Sequence, residues 1–341
     1  MHQLIDELMQ QPTYLRSLVE DYRSHNRTGA IRAMALPQHW TLTGMGASFH
    51  AAWIGSFYLN YLGIAAAAYE SADLVNYDSP VLRDSSWKVY VSQSGSSGEI
   101  TPFLDCLGQN AVLLSVTNNP ASELAQRARW LLPMDAGDET LIASKTYINP
   151  VAILWLLGRE AAGKWDGSEF NQLLDIANRV ERVLAQAKDI SDRMVDMFKD
   201  CNPVIFLGHG PHGVTARQAA MVMSEWAKLP ALHAGTGAFR HGFIETVQPG
   251  IGVVIFAPGG QTSASSLELA DELAGYGARV LLVENGQLRQ PDESKFSEEA
   301  VDEFLSPILD IIPIQLFADG LAKQRQIEPG FRYISKVVQR L

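Results

Sequence analysis

The sequence predicts an α/β protein built from two tandem copies of one unit, each a parallel sheet with helices on both faces. Three observations predict it. Short apolar runs alternate with helix-length stretches, the pattern of a parallel sheet. The alternation stops for a long helical stretch and then restarts. In both halves the first apolar run ends in Gly-x-Gly: Thr41-Leu42-Thr43-Gly44-Met45-Gly46 parallels Ile205-Phe206-Leu207-Gly208-His209-Gly210. The 341 residues suggest about two domains at ~150 residues each, and 47% apolar content is ample for two cores.

Taken in order, residues 3–35 read as an amphipathic helical segment. The first strand is expected at Trp40–Thr43, followed by helix to Tyr61, then strands near Ala66–Tyr69, Trp87–Val91, Ala111–Thr117 and Trp130–Met134. Residues 170–199 carry little Gly or Pro and read as a helical connector. Strands are expected again at Val204–Leu207, Gly252–Ala257 and Arg279–Val283, with an apolar helix over 308–323 and a tail from Ile327. The implied division is a helical segment at 1–35, a first domain at 36–168, a connector at 169–200, a second domain at 201–325 and a tail at 326–341.

The most telling stretch is Val89-Tyr90-Val91-Ser92-Gln93-Ser94-Gly95-Ser96-Ser97-Gly98-Glu99. A strand feeds a loop of hydroxyls and glycines, and a helical pattern follows from Ile100. Backbone N–H groups and the helix dipole favour an anion at such a place. Serine hydroxyls add donors without adding charge, so a bound phosphate can leave again. The same residues could simply cap a helix. In open α/β sheets ligands bind outside the carboxyl ends of the strands, so the Gly44–Ser48 loop and the serine loop could share one crevice. The second copy carries Pro258–Ser263 at the matching place, with fewer hydroxyls.

Bulk properties exclude several classes. A net charge of −11, spread along the chain, disfavours nonspecific nucleic-acid binding, which leans on basic contacts to phosphates. The two cysteines, Cys106 and Cys201, have neither metal spacing nor a disulfide framework. No signal-peptide pattern opens the chain and no run is long enough to cross a bilayer, so a cytoplasmic protein without membrane or nucleic-acid partners is expected. The eight histidines lack an H-E-x-x-H cluster, and no metal or cofactor is expected. A dinucleotide site is disfavoured. Gly44-Met45-Gly46 lacks the third glycine, and Gly208–Gly213 fits the bare pattern but has no acid at the end of a second strand.

Together these features resemble the sugar isomerase (SIS) family, most of all the tandem isomerase half of glutamine-dependent glucosamine-6-phosphate synthases. The likeness runs along nearly the whole chain. Ser92-Gln93-Ser94-Gly95 matches the family's Ser-Gln-Ser-Gly signature, and Gly44–Ser48 sits where the family has Gly-Thr-Ser. Gln11-Pro12 is similar to its Glu-Gln-Pro segment, and Ala143-Ser144-Lys145-Thr146 to its Ala-Ser-Thr-Lys segment. Ser224-Glu225 and Phe239-Arg240-His241-Gly242 resemble Lys-Glu followed by a basic-His-Gly turn. Pro329 to Lys336 resembles a tail ending in a catalytic lysine.

The resemblance implies two flavodoxin-like domains and a phosphosugar substrate. It implies that Ser48, Ser92, Gln93, Ser94 and Ser97 bind the sugar phosphate and that Ser144 contacts sugar hydroxyls. Glu225 would move a proton between C1 and C2. His241 would open the ring, reaching from the other subunit of a homodimer, and Lys336 would lie near the ring oxygen or carbonyl. The chemistry suits these residue types: a carboxylate as the shuttling base, a nearby donor for the enediolate, and a histidine titrating near neutrality.

Alone, each residue also has an ordinary reading. Glu225 could be an ion-pair partner, His241 a surface residue, and Lys336 a solvated terminus. Four departures matter, most of them around the sugar's reacting end: Ala238 where the family has Glu, Phe243 where it has proline, Val222 and Ser224 where it has lysines, and Ser96, in the phosphate loop, where it has an acid. The expected function is therefore aldose–ketose isomerisation of a hexose or amino-hexose 6-phosphate, without glutaminase activity. An amino-sugar phosphate deaminase, a fructosamine-6-phosphate-type deglycase and a non-catalytic phosphosugar sensor are the alternatives.

Overall fold

A computed structural model describes residues 3–32, 39–293, 301–328 and 330–339. The chain forms two compact units. The first is Gln10–Ala177 with Arg332–Leu341, and the second is Asn178–Phe331 with Met1–Met9. Each unit thus takes a terminal segment from the far end of the chain, and the division between them falls inside the helix Glu169–Ala185.

In the first unit, strands β1 (His39–Gly44), β2 (Ala65–Glu70), β3 (Trp87–Ser92), β4 (Val112–Thr117) and β5 (Trp130–Pro133) form one parallel sheet in the order β2-β1-β3-β4-β5. This is the flavodoxin-like order, whose switch point lies between β1 and β3. The central strand β3 is buried at every residue, as a strand in a sheet covered on both faces is. One face packs Tyr90, Ile100, Phe103, Leu104, Leu113 and Leu124 into a core. Burying each large apolar side chain stabilises by about 1.5–3 kcal/mol. The helix Gly46–Tyr61 covers β1 and β2 and packs on the helix Lys145–Ala161. Lys88 is the one charge in β3. Its ammonium bonds the Asp84 carboxylate at 2.6 Å, Ser86 Oγ at 2.6 Å and the Ser86 carbonyl at 2.9 Å. Burial pushes its pKa down despite Asp84.

The second unit repeats the plan. Strands β6 (Val204–Gly208), β7 (Leu232–Gly235), β8 (Gly252–Phe256), β9 (Arg279–Glu284) and β10 (Gln287–Arg289) lie in the order β10-β9-β8-β6-β7. Counted from β6 this is the same order, with the last strand antiparallel. The duplication read from the two Gly-x-Gly turns is therefore matched in topology. Ile205, Leu207, Val253, Ile255, Leu269, Leu273 and Leu282 share one core. The helix Leu4–Leu8 packs on the helix Ser306–Gln324 within this unit. Two strands escaped the sequence reading. β7 is a mostly exposed edge strand with little apolar content. β10 is three residues long, joined to β9 by Asn285-Gly286, both at positive φ (52° and 80°). Asn-Gly between two short runs is a hairpin signal, and it was present in the sequence. Among the described residues, no helix is long and apolar enough to cross a membrane.

Candidate functional site

Because β1 pairs directly with β3, the Gly44 loop and the serine loop leave adjacent strand ends. The approach is tight. A Cβ at Gly44 would lie 2.6 Å from the Val91 carbonyl oxygen, so only glycine fits there. Ser48 lies in the first turn of the helix Gly46–Tyr61, half-buried. Ser92 is buried, Gln93, Ser94 and Ser97 are half-buried, and Ser96 is exposed. The loop leads into a two-turn helix, Ile100–Cys106.

Hydrogen bonds hold the loop in shape. Ser92 Oγ accepts the Gly95 N–H at 3.1 Å, and Ser94 Oγ accepts the Ser96 N–H at 3.2 Å. A hydroxyl that accepts still has its own proton to give, so Ser92 and Ser94 remain able to donate to an anion. The Gln93 carbonyl accepts Asn118 N–H at 3.1 Å and the Thr117 hydroxyl at 3.2 Å, which staples the loop to the end of β4. The Gln93 amide donates to the Glu139 carbonyl at 3.3 Å. Ser97 differs: its hydroxyl donates to the Glu99 carboxylate at 2.5 Å. Glu99 is 5% exposed and also lies 3.2 Å from the Tyr90 hydroxyl. Burial, and then the Glu99 charge, push the Tyr90 phenol up. Nothing in the sequence reading singled out Glu99, although it closes the Ser/Gly run.

A second cluster belongs to the same unit. Ser144, expected at the sugar hydroxyls, is fully buried, and its hydroxyl donates to Glu139 at 2.9 Å. Glu139 also accepts Ser144 N–H at 2.9 Å, Thr146 N–H at 3.3 Å and the Thr146 hydroxyl. Its remaining partner is Lys336, whose Nζ lies 3.0 Å away and also bonds the Leu141 carbonyl. Burial alone would raise the Glu139 carboxyl; the Lys336 charge and these donors outweigh it and hold the pKa below the usual carboxylate value. The tail then reaches the serine loop. Gly98 N–H donates to the Val338 carbonyl at 3.0 Å, and the Gln339 amide to the Ser96 carbonyl at 3.4 Å. Of the tail segment that carries the resemblance, Pro329 lies outside the described residues.

In the second unit, Glu225 is the last residue of the helix Pro211–Glu225 and is half-buried. Lys228 bonds the Glu225 carbonyl and, at 2.7 Å, the Gly330 carbonyl. The root of the tail is therefore tied beside Glu225, by a lysine that sequence reading passed over. A lysine just past a helix end commonly satisfies its last carbonyls. His241 is exposed and caps the short helix Thr236–Arg240 that follows β7. The helix Pro211–Glu225 starts at the C-terminal end of β6 and runs back to the start of the parallel strand β7. Its 15 residues span about 22 Å at 1.5 Å per residue. Glu225 and His241 of one chain thus lie at opposite ends of this unit's strands. Of the histidines left without a role, His209 lies 3.1 Å from Ser265 Oγ, and His212 is buried against Asp310 and Ser306. Among the described residues, no group of three or more His, Cys, Asp or Glu is placed to hold a metal.

Residues 197–318 match the SIS domain model. Over 342 aligned residues the chain is 26% identical to glutamine–fructose-6-phosphate aminotransferase (isomerizing) of Oceanobacillus iheyensis, covering 96% of this chain and 56% of that protein. It therefore spans little more than half the length of that relative. Among solved structures, the C-terminal domain of glucosamine-fructose-6-phosphate aminotransferase from Francisella tularensis superposes with a TM-score of 0.84 at 19% identity, covering 97% of this chain and 98% of that one. Glucosamine-6-phosphate deaminase of Thermotoga maritima gives 0.78 at 20% identity, covering 99% of both. The chain thus carries a match to the SIS domain at residues 197–318, within a duplicated flavodoxin-like fold that is similar to these relatives along nearly its whole length.

Proposed function

We propose that the protein is an enzyme that interconverts aldose and ketose forms of a hexose 6-phosphate or amino-hexose 6-phosphate. The observation that carries the reading is the joining of a cradle of serine hydroxyls and a tail lysine in one unit. The Val338 carbonyl, bonded to the loop at Gly98, lies two residues past Lys336, at most about 7 Å of chain. The phosphate would accept from Ser48, Ser92, Ser94 and loop N–H groups, with Gln93 and Ser97 shaping the cradle. Lys336 would stand at the reacting end, where a cation stabilises the enediolate oxygen. Glu225 would take the proton from C2 and return it at C1. His241 would open the ring. Since His241 and Glu225 of one chain lie at opposite ends of their unit, the histidine in each site would come from a second copy in a homodimer.

Incubation in deuterated water tests the proposal. Deuterium entering C2 of a hexose or hexosamine 6-phosphate supports it, and well-folded protein that exchanges none of them overturns it. The second reading is loss of nitrogen from the same intermediate, as in a deaminase or deglycase. Val222, Ser224 and Ala238 favour it, because these departures from the family pattern fall at the reacting end. Ammonia or amino-acid release from an aminated substrate separates the two.

A further inference from the structure

We propose that Glu139 is the positioning residue for Lys336, and that residues 336–339 form a strap joining it to the phosphate loop. The catalytic meaning of the strap rests on the isomerase reading; its anchoring does not. The Glu139 side chain is 0% exposed, whereas that of Lys336 is 21% exposed. Four of the five donors around Glu139 are neutral groups of Ser144 and Thr146, at the start of the helix Lys145–Ala161. The fifth is the Lys336 ammonium. Neutral donors alone would cap that helix; a buried carboxylate retains its charge because a cation is paired with it.

Around Lys336 the tail is open. Tyr333 is 94% exposed, Ile334 52% and Val338 44%. A terminal lysine on such a segment would ordinarily be solvated, so the order of Lys336 comes from Glu139 and the Leu141 carbonyl. The next two fixed points, Gly98 to Val338 and Gln339 to Ser96, lie on the serine loop itself. Movement of that loop by an anion is therefore transmitted to the lysine through two residues of backbone. Glu139 touches no ligand in this scheme; it sets where the lysine stands.

The test compares Glu139→Gln, Glu139→Asp and Lys336→Met in the full chain. Glu139→Gln keeps an oxygen for Ser144 and Thr146 but removes the charge that holds Lys336. Amide exchange at Gly98 should speed up by about tenfold or more as the strap detaches locally, with Gly95, bonded inside the loop to Ser92, unchanged. Lys336→Met should speed Gly98 in the same way, which keeps the test valid if Glu139→Gln does not fold. With a hexose 6-phosphate substrate, Glu139→Gln should lower kcat by on the order of tenfold or more with KM little changed, and Glu139→Asp should recover part of the loss. Gly98 exchange at the wild-type rate in folded Glu139→Gln or Lys336→Met overturns the anchoring. A rise in KM with kcat intact overturns the positioning role. Wild-type protein that turns over no sugar phosphate overturns the isomerase reading instead, and Gly98 exchange still decides the strap.

Discussion

Replacing Gly95 with alanine should damage the serine loop by an amount that can be worked out in parts. Gly95 has φ +62°, and a Cβ there would lie 2.1 Å from Ser122 Oγ and 2.5 Å from Ser122 Cβ. Left-handed backbone costs alanine roughly 1 kcal/mol. Ser122 cannot turn aside freely, since its hydroxyl donates to the Asn119 carbonyl at 2.7 Å and accepts Ala125 N–H at 3.3 Å as an N-cap. Displacing it adds about 2 kcal/mol of overpacking and lost capping. The sum is about 3 kcal/mol, a large share of the 5–15 kcal/mol typical of a folded domain. With a urea slope near 2 kcal/mol per molar, the midpoint should fall by about 1.5 M. Adding Ser122→Gly should recover about half of that, because glycine at an N-cap costs only a few tenths of a kcal/mol. The backbone share should remain. An unchanged midpoint for Gly95→Ala, or a double variant no better than the single, would refute the packing argument.

Other substitutions test other parts. Ser94→Ala should weaken binding of any hexose 6-phosphate by about 1.5 kcal/mol, near tenfold, for a lost bond to a charged group; titration calorimetry reads it. Glu225→Gln should slow deuterium entry at C2 by 10²–10⁴-fold, on the order expected for a lost general base, with ligand affinity in thermal shift retained. Glu139 makes a signed pH prediction. Its folded pKa is depressed, so its stabilisation is complete above the ordinary carboxylate pKa and is lost as pH falls through the lower folded value. Urea midpoints of wild type should therefore drop more steeply on acidification than those of Glu139→Gln. Asp84→Ala should destabilise more than Lys88→Met, since the first leaves a buried ammonium with only neutral partners and the second removes the charge. Equal losses in chemical denaturation would count against that account.

Much of the fold was legible because its signals are local. β3 reads as a buried strand from six residues, and the two Gly-x-Gly turns fix the start of each copy. β7 was hidden because an exposed edge strand need not be apolar, and the three-residue β10 was missed although Asn285-Gly286 announced it. The serine loop was legible as a run of hydroxyls and glycines at a strand end. Which of its hydroxyls still have a proton to give was not, since the Ser97 hydroxyl is committed as a donor to Glu99 only once the fold places that carboxylate beside Tyr90.

The sequence by itself determined the duplicated α/β plan, the serine loop after β3 and the chemistry of its donors, because periodicity and turn residues act within a few positions. Tertiary structure decided the partners. Glu139 lies 197 residues from Lys336 and Lys228 lies 102 from Gly330, and no local pattern marks a pair at such separation. A buried carboxylate gains a lysine, and the lysine at a helix end gains a second carbonyl, only when the fold brings distant segments together and removes water from between them.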